Sequence, residues 1–413
     1  MDTRFGILVV GAGPAGTFAA IAAKKRNPAA VVTLLTDERC EPYEKPPLSK
    51  AVLLGRARPA DAPIAGPNGV MAHGVILRSQ ARVLQVDRQT KTITLRDGSR
   101  LQYDTMVLAT GASVREAPQL PPGSPAVHYL RSEADAEALL AALQPGRRLL
   151  VVGGGLIGLE VAASAAEIGV KTTVLEVAPR ILSRVCNEHI AAIVHSAHRA
   201  HGVDLRLSTA VASASLAPGT ARVVTTGGDT IEADLVVVGT GAKPNDALAR
   251  EIGLAVDDGI VVDEECRTSD PAIFAAGDAV RFPGPHGPVR LENWRHAQDQ
   301  GTIAGRNAAG GCDRYAPVPS FWSEQYDLYI QGIGWSAPAG AESDGAGAAR
   351  VTRPMPGQAI LTFELADGRI VRALGINAQR DLAAVRRLIE RRVAVDAAAL
   401  ADPAQPLAAM LKR

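Results

Sequence analysis

Apolar residues along the chain run in short unbroken stretches that stop at glycine, and this punctuation organises the sequence. Ile7 to Val10 is wholly apolar, passes into a Gly-x-Gly-x-x-Gly turn, and gives way to the alanine-rich run Thr17 to Lys25. The pattern predicts a strand buried on both faces, a tight turn and a helix. Gly11 lets the chain turn sharply, Gly13 leaves room for a pyrophosphate, and Gly16 lets the helix pack closely on the strand. Pro14 and Ala15 open the helix, whose free N–H groups meet the anion. A second apolar strand, VVTLLTD, ends at Asp37, twenty-one residues past Gly16. That is near the spacing at which an acid reaches adenosine ribose hydroxyls.

The order then recurs. LLVVGGGLIGLE carries Gly153, Gly155 and Gly158, with Leu156 and Ile157 opening its helix, and the strand KTTVLE closes on Glu176. One such glycine pattern also occurs in ordinary strand-to-helix turns, but two complete copies, each with its acid, predict two dinucleotide sites. Each copy is closed by a similar strand: TMVLATGA, with Ala109, Thr110 and Gly111 in its turn, and ADLVVVGTGAKPN, with Gly241.

Between these landmarks, Pro46 and Pro47 forbid a helix until Leu48 or Ser49, so Ser49 is expected as an N-cap and Lys50 is presented on a rigid turn. From Gly74 onward, VILRSQARVLQVD, KTITL and RLQYD alternate as short strands, with a hairpin at Asp97-Gly98. Helices are expected over Ser132 to Leu143, Asn187 to His201 and about Arg295 to Ala309, the last capped by Asn293. Beyond Pro317 the character changes. FWSEQYDLYIQGIGW is an aromatic cluster in a chain that is 4% aromatic, the strands ILTFEL and IVRALGI follow, and then the basic helix Arg380 to Arg392. This last part reads as a small α+β domain.

A length of 413 residues suggests two or three domains, and 47% apolar content supports buried cores. The net charge of +1, from 44 basic and 43 acidic residues, gives no global reason to expect nucleic acid or an anionic membrane. The apolar stretch from Leu149 to Val170 is interrupted by three consecutive glycines and by Glu160 and Glu167, so no membrane span is expected. The N-terminal apolar run belongs to the glycine turn rather than to a secretory signal. Cys40, Cys186, Cys266 and Cys312 lie far apart without a Cys-x-x-Cys pair, which suits a reducing cytoplasm and offers neither metal nor dithiol spacing.

GAGPAG, PYEKPPLSK, VLATGA, VVGGGLIGLE, TSDPAIFAAGD and FWSEQYD together, in this order across nearly the whole chain, resemble the FAD-dependent, NADH-linked ferredoxin reductases that serve ring-hydroxylating oxygenases and bacterial haem monooxygenases. PPLSK and FWSxQY are the most specific of these. The resemblance implies an α/β fold of the flavin disulfide reductase type. Two Rossmann-like domains are expected, with FAD held by residues 1–113 and 240–316 and NAD by residues 114–239, followed by a C-terminal α+β domain over residues 317–413.

It also implies site residues. Asp37, with Glu38 as second candidate, resembles the FAD ribose ligand, and Asp278, after Gly277, the ligand of the ribityl chain. Lys50 resembles the lysine beside flavin N5, and Glu160 its carboxylate partner, although Glu160 also reads as an ordinary first-turn acid. Val83 and Arg131 match positions near the ends of FAD. Trp294 falls where a helix start meets the flavin N1 and O2 edge, and Glu292 is a further cofactor-binding candidate. Trp322 resembles the aromatic residue facing the iron–sulfur partner, although beside Phe321 and Tyr326 it reads equally as core.

The implied activity passes electrons from NADH through FAD to a small [2Fe–2S] ferredoxin that feeds an oxygenase, with monomer and homodimer both open. Two alternatives share the fold: a thiol-dependent NADH oxidase or peroxidase, for which Cys40 is the nearest cysteine, and a redox-sensing flavoprotein like the apoptosis-inducing factors. One departure stands near the expected partner face: between Leu54 and Val75 the family commonly carries aromatics, and this chain carries a Gly- and Pro-rich segment instead.

Overall fold

In the computed structural model, which describes residues 5–335 and 348–412, the chain folds into two compact units. The first comprises Met1–Pro47, Ala57–Ser113 and Ala242–Pro317; the second comprises Leu48–Arg56, Val114–Gly241 and Val318–Arg413. Segment 48–56, expected with the first domain, therefore groups with the second unit.

The first unit is built on a five-stranded parallel sheet in the spatial order Ile273–Ala275, Thr105–Leu108, Gly6–Val10, Val31–Leu35 and Ile76–Arg78. Its central strand is almost wholly buried, as an unbroken apolar run requires when both faces are covered. Helix α1 (Pro14–Arg26) follows the first glycine turn. A three-stranded antiparallel sheet, Val83–Asp87, Thr92–Leu95 and Arg100–Gln102, comes before Thr105–Leu108 in the chain.

The second unit repeats the plan. Its parallel sheet runs Asp204–Arg206, Lys171–Leu175, Arg148–Val152, Leu235–Val238 and Val127–His128. Helices α2 (Glu133–Ala142), α3 (Leu156–Glu167) and α4 (Glu188–Ala200) belong to it. The repeat holds at the level of single hydrogen bonds. Gly11 N–H donates to Leu35 O at 2.9 Å, as Gly153 N–H does to Leu175 O at 2.8 Å. The amide of Gly6 donates to the Asp104 carboxylate at 2.6 Å, as that of Arg148 does to Asp234 at 2.8 Å.

The same unit holds a five-stranded antiparallel sheet ordered Ser320–Gln325, Leu328–Gly334, Arg369–Ile376, Ile360–Ala366 and Ala348–Pro354. Leu361, Phe363, Ile370 and Ala373 of this sheet form a buried core with Leu382, Val385 and Leu388 of the following helix, and other residues of the sheet are shared with the rest of the unit. Leu328, Ile330, Leu374 and Ile376 pack in one buried cluster with Leu159 and Val161 of α3, Ile190 and Val194 of α4, and Leu53. After a short α5 (Ala247–Glu251) and α6 (Trp294–Ala308), both in the first unit, α7 (Gln379–Glu390) and α8 (Ala397–Ala401) complete the second.

The cap expected at Asn293 forms, its side chain accepting an amide N–H of the first turn, and Ser132 and Asn187 cap their helices in the same way. Ser49 does not cap a helix. Residues Pro46–Ser49 themselves form a single 3₁₀ turn, because proline is accommodated in a first turn, where its missing N–H has no partner to lose. The Ser49 hydroxyl is used elsewhere, as described below.

In the first unit, α1 and α6 touch backbone to backbone. A Cβ placed on Gly301 would lie 2.1 Å from Ala15 O, and one on Gly305 would lie 2.0 Å from Ala19 O. Two glycines four residues apart thus form the groove into which α1 sits. Gly305→Ala is expected to force the helices apart at a cost of about 1–3 kcal/mol, seen as a lower Tm and weaker FAD retention. Gly227→Ala, in a roomy turn with no positive φ, should leave both nearly unchanged. Equal Tm values for the two variants would contradict the close contact.

Candidate functional site

Each unit carries one glycine cradle. A Cβ on Gly11 would lie 2.2 Å from Ala109 O and one on Gly16 would lie 1.7 Å from Gly11 O, whereas Gly13 faces open space. The second cradle behaves alike: Gly153 would meet Gly239 O at 2.5 Å, Gly158 would meet Gly153 O at 2.1 Å, and Gly155 faces open space. The outer glycines close the turn and the middle one leaves the approach clear. Gly13 and Gly155 are the N-caps of α1 and α3, with no side-chain cap and no acid in the first turn. Side-chain oxygens cap α2, α4 and α6, so these two helices present their first N–H groups, with the positive end of the dipole, toward an anion. Both cradles therefore fit a dinucleotide pyrophosphate.

Around the first cradle, a Cβ on Gly277 would lie 2.7 Å from Cβ of Ala15, so the Gly277-Asp278 turn abuts the start of α1. The Gly277 N–H is fixed by Gln300 Oε1 at 2.8 Å. Thr110 and Gly111 are held by Asn245, whose amide donates to Thr110 O at 2.9 Å and whose backbone N–H donates to Gly111 O at 2.9 Å. Trp294 is the first residue of α6, and its ring packs edge-on against Phe18 of α1 at 6.0 Å. Its indole faces Glu44, whose carboxyl is raised by burial, a rise the indole opposes. Glu292 pairs with Arg290, and Val83 begins its strand, half-buried. Arg131 lies in the second unit, where its backbone N–H donates to Asp135 ahead of α2.

The two acids at the strand ends differ. Glu176 directly follows its strand and accepts the Gly154 and Ala178 amides at 2.7 and 2.8 Å, which aims it across the second cradle. Hydrogen-bond for hydrogen-bond, its counterpart in the first unit is Thr36: Thr36 N–H donates to Arg78 O, as Glu176 N–H does to Arg206 O. Asp37 is exposed. Glu38 instead lines a recess with Ala12, Thr36 and Cys40, and accepts from Tyr43 Oη at 2.7 Å and Lys45 Nζ at 3.0 Å. The second candidate is thus the acid beside the first glycine turn.

In the second unit, the Gly241 carbonyl accepts from Arg115 N–H at 2.8 Å, and a Cβ on Gly241 would lie 3.6 Å from the Arg184 guanidinium. Ile157 is exposed on the first turn of α3, and Leu156 is partly buried.

Glu160 is the fifth residue of α3 and 2% exposed, so it is not a first-turn surface acid. Its Oε2 meets Lys50 Nζ at 2.9 Å and the Ser49 hydroxyl, while Oε1 accepts from Ser323 Oγ at 2.6 Å. Ser323 lies on the inward face of Ser320–Gln325. Trp322, half-buried, points to the opposite face by the alternation of a strand, while Phe321 packs against the core. Sequence reasoning found Lys50 and Glu160 but missed both serines. The only available signal was that PPLSK and FWSEQ each hold a serine beside the residue singled out.

None of the four cysteines forms a disulfide. Burial pushes the Cys186 thiol up to about 12 and raises that of Cys266. Among the described residues no helix is long and apolar enough to cross a membrane, and no His, Cys, Asp and Glu group has metal-binding geometry.

Comparison with known proteins agrees with this geometry. Residues 5–301 match the pyridine nucleotide-disulphide oxidoreductase family model, and residues 320–411 match that of the reductase C-terminal domain. The chain is 40% identical over 402 residues to the ferredoxin–NAD(+) reductase component of the anthranilate 1,2-dioxygenase system of Burkholderia cepacia, covering 96% of this chain and 97% of that one. It is 40% identical over 336 residues to rhodocoxin reductase of Rhodococcus erythropolis, covering 81% and 79%. The structure superposes with a TM-score of 0.90 on putidaredoxin reductase in its covalent complex with putidaredoxin, at 31% identity and covering 100% and 99% of the two chains. With its two cradles, its Lys50–Glu160 pair and its C-terminal sheet, the chain belongs to the pyridine nucleotide-disulphide oxidoreductase family, among the ferredoxin–NAD(+) reductases.

Proposed function

We propose that the protein draws electrons from NADH onto bound FAD and delivers them singly to a small [2Fe–2S] ferredoxin that feeds an oxygenase. The observation that carries this reading is the Lys50–Glu160 ion pair in the PPLSK segment, where a thiol-based enzyme of the same fold would need a reactive cysteine. Bound FAD supplies two-electron uptake and one-electron release. The chain's own groups hold, orient and charge the site. The helix starts at Gly13 and Gly155 bind pyrophosphate, Asp278 orients the ribityl chain, Glu176 takes the NADH ribose, and the Lys50 ammonium offers positive charge where negative charge develops.

Cys40 sits in the recess beside Ala12, at the first glycine turn. Cys40→Ser is therefore expected to keep most of the stopped-flow rate of flavin reduction and most of the ferredoxin-coupled turnover. A loss by orders of magnitude would favour the thiol-dependent oxidase.

Coenzyme choice follows from Glu176. Two amides fix its carboxylate and leave lone pairs for both ribose hydroxyls, so a 2′-phosphate would meet like charge. Arg180, close enough in sequence to offset this, donates instead to Cys186 O at 2.7 Å and Ser183 O at 3.2 Å. kcat/KM should be higher for NADH than for NADPH, and the reverse order would remove Glu176 from this role.

The electron acceptor is proposed to be acidic and guided by arginines. Of the arginines on and after α7, Arg386 is a structural residue: it donates to Val318 O at 3.1 Å and Ser320 Oγ at 2.7 Å. Arg387, Arg391 and Arg392 are exposed, and Arg295 in the first unit lies 3.4 Å from Asp299. Steering by such charges weakens as the Debye length falls from about 30 Å at 0.01 M salt to about 10 Å at 0.1 M. Ferredoxin reduction is expected to slow across that range while NADH reduction of the flavin changes much less. If acidic ferredoxins accept no electrons while oxygen alone sustains rapid NADH consumption, the reductase reading fails.

A further inference from the structure

The carboxylate partner of Lys50 is the end of a longer construction, all within the second unit. Behind Ser323, the Gln325 amide nitrogen donates to Ser323 Oγ at 3.0 Å, and Gln325 Oε1 lies 2.8 Å from His198 Nε2. His198 Nδ1 in turn lies 3.2 Å from the Tyr326 hydroxyl. Ser323, Gln325 and His198 are each no more than 1% exposed. We propose that Tyr326, His198, Gln325 and Ser323 form one directional hydrogen-bond chain that holds the Glu160 carboxylate in register with Lys50, making them positioning residues for that ion pair.

The direction of the chain follows from counting protons. A carboxylate paired with an ammonium can only accept, so Ser323 must turn its single O–H to Glu160 and receive Gln325 through a lone pair. That fixes the Gln325 amide with its oxygen toward His198, so Nε2 carries the hydrogen. Nδ1 is then the acceptor, and the Tyr326 hydroxyl donates to it. Each link has one proton to place, and no link reverses unless every other reverses too. Burial holds the His198 imidazole down to about 4, so near neutral pH it stays in the single-proton form the chain needs.

The far end is secured independently. Tyr326 has a left-handed backbone, with φ of 57°, and its ring stacks on His201 at 3.7 Å between centroids. A bulky residue in that conformation costs about 1 kcal/mol or more, so its ring and hydroxyl contacts offset a real strain. Ser323 and Gln325 lie on the same face of their strand because side chains alternate, and α4 supplies His198 from the helical layer. The proposal rests on the reading of Lys50–Glu160 as part of the reductase site, and its test does not depend on that reading.

Acylation of Lys50 by acetic anhydride, followed by peptide mass spectrometry of the FAD-loaded protein, reports how firmly Glu160 holds the amine, with the exposed Lys25 as internal reference. Ser323→Ala is expected to speed Lys50 acylation about fivefold or more, consistent with loss of a hydrogen bond to a charged group. Gln325→Leu and Tyr326→Phe should act in the same direction with smaller effects, and Ser323→Thr, which keeps the hydroxyl, should restore the slow rate. In the chain-breaking variants the limiting rate of flavin reduction should fall while KM for NADH is kept, because none of these residues belongs to a glycine cradle. Unchanged acylation in Ser323→Ala overturns the proposal. So does an effect of Ser323→Ala alone with Gln325→Leu and Tyr326→Phe silent, which would leave a single bond in place of a chain. Acylation shifts as expected in a protein that reduces no ferredoxin would uphold the chain and sink only the proposed function.

Discussion

Removing the Glu160 carboxylate from water is the constraint around which the second unit is built. An unpaired buried charge costs several kcal/mol, so the fold must deliver compensating donors to one point. They come from two remote parts of the sequence, Ser49 and Lys50 on one side of the chain and Ser323 on the other. This explains why the short segment Leu48–Arg56 leaves its sequence neighbours and packs with α3 and the antiparallel sheet. Leu53 enters the same core as Leu159 and Ile330, and Ser164 on the next turn of α3 donates to Ser49 O at 2.9 Å. Apolar packing and charge compensation secure the same segment together.

The glycine turns, the helix starts at Ser132 and Asn187, the cap at Asn293 and the doubled strand–turn–helix order were legible in the sequence because each is dictated locally. A glycine with φ above zero, or a serine before a helix, carries its own reason. What the sequence withheld depends on contacts over more than a hundred residues. Nothing near Ser323 announces a buried carboxylate 163 positions away, and no periodicity shows that Leu328, Ile330, Leu374 and Ile376 of the C-terminal sheet share a core with α3 and α4. Arg386 looked like its neighbours Arg387 and Arg391, and only the packing of α7 against the strand at Ser320 separates a structural arginine from exposed ones. Counting residues from the last glycine brings two acids within range, and only the fold shows that Glu38 lines the recess with Ala12 while Asp37 is exposed.

The two parallel sheets show how far a repeated plan tolerates specialisation. Their amide pairings and glycine clashes coincide, yet the position holding Glu176 in one holds Thr36 in the other. In the second unit the acid sits directly at the strand end and is locked by two amides. In the first, the acid lies two residues further on and is braced by Tyr43 and Lys45. The repeat thus conserves the glycine cradle and varies the acid beside it.

The entry and exit of residues 114–241 are neighbours, since Arg115 N–H donates to the Gly241 carbonyl at 2.8 Å. A segment whose ends meet has the geometry of a cassette, one that recombination or design can replace without rethreading the rest of the chain. Here, however, the cassette lends Leu159, Val161 and Ile190 to the core it shares with the antiparallel sheet, and Glu160 to Lys50 and Ser323. A replacement module would have to bring α3 and α4 faces already fitted to that sheet, so meeting ends alone do not make the segment exchangeable.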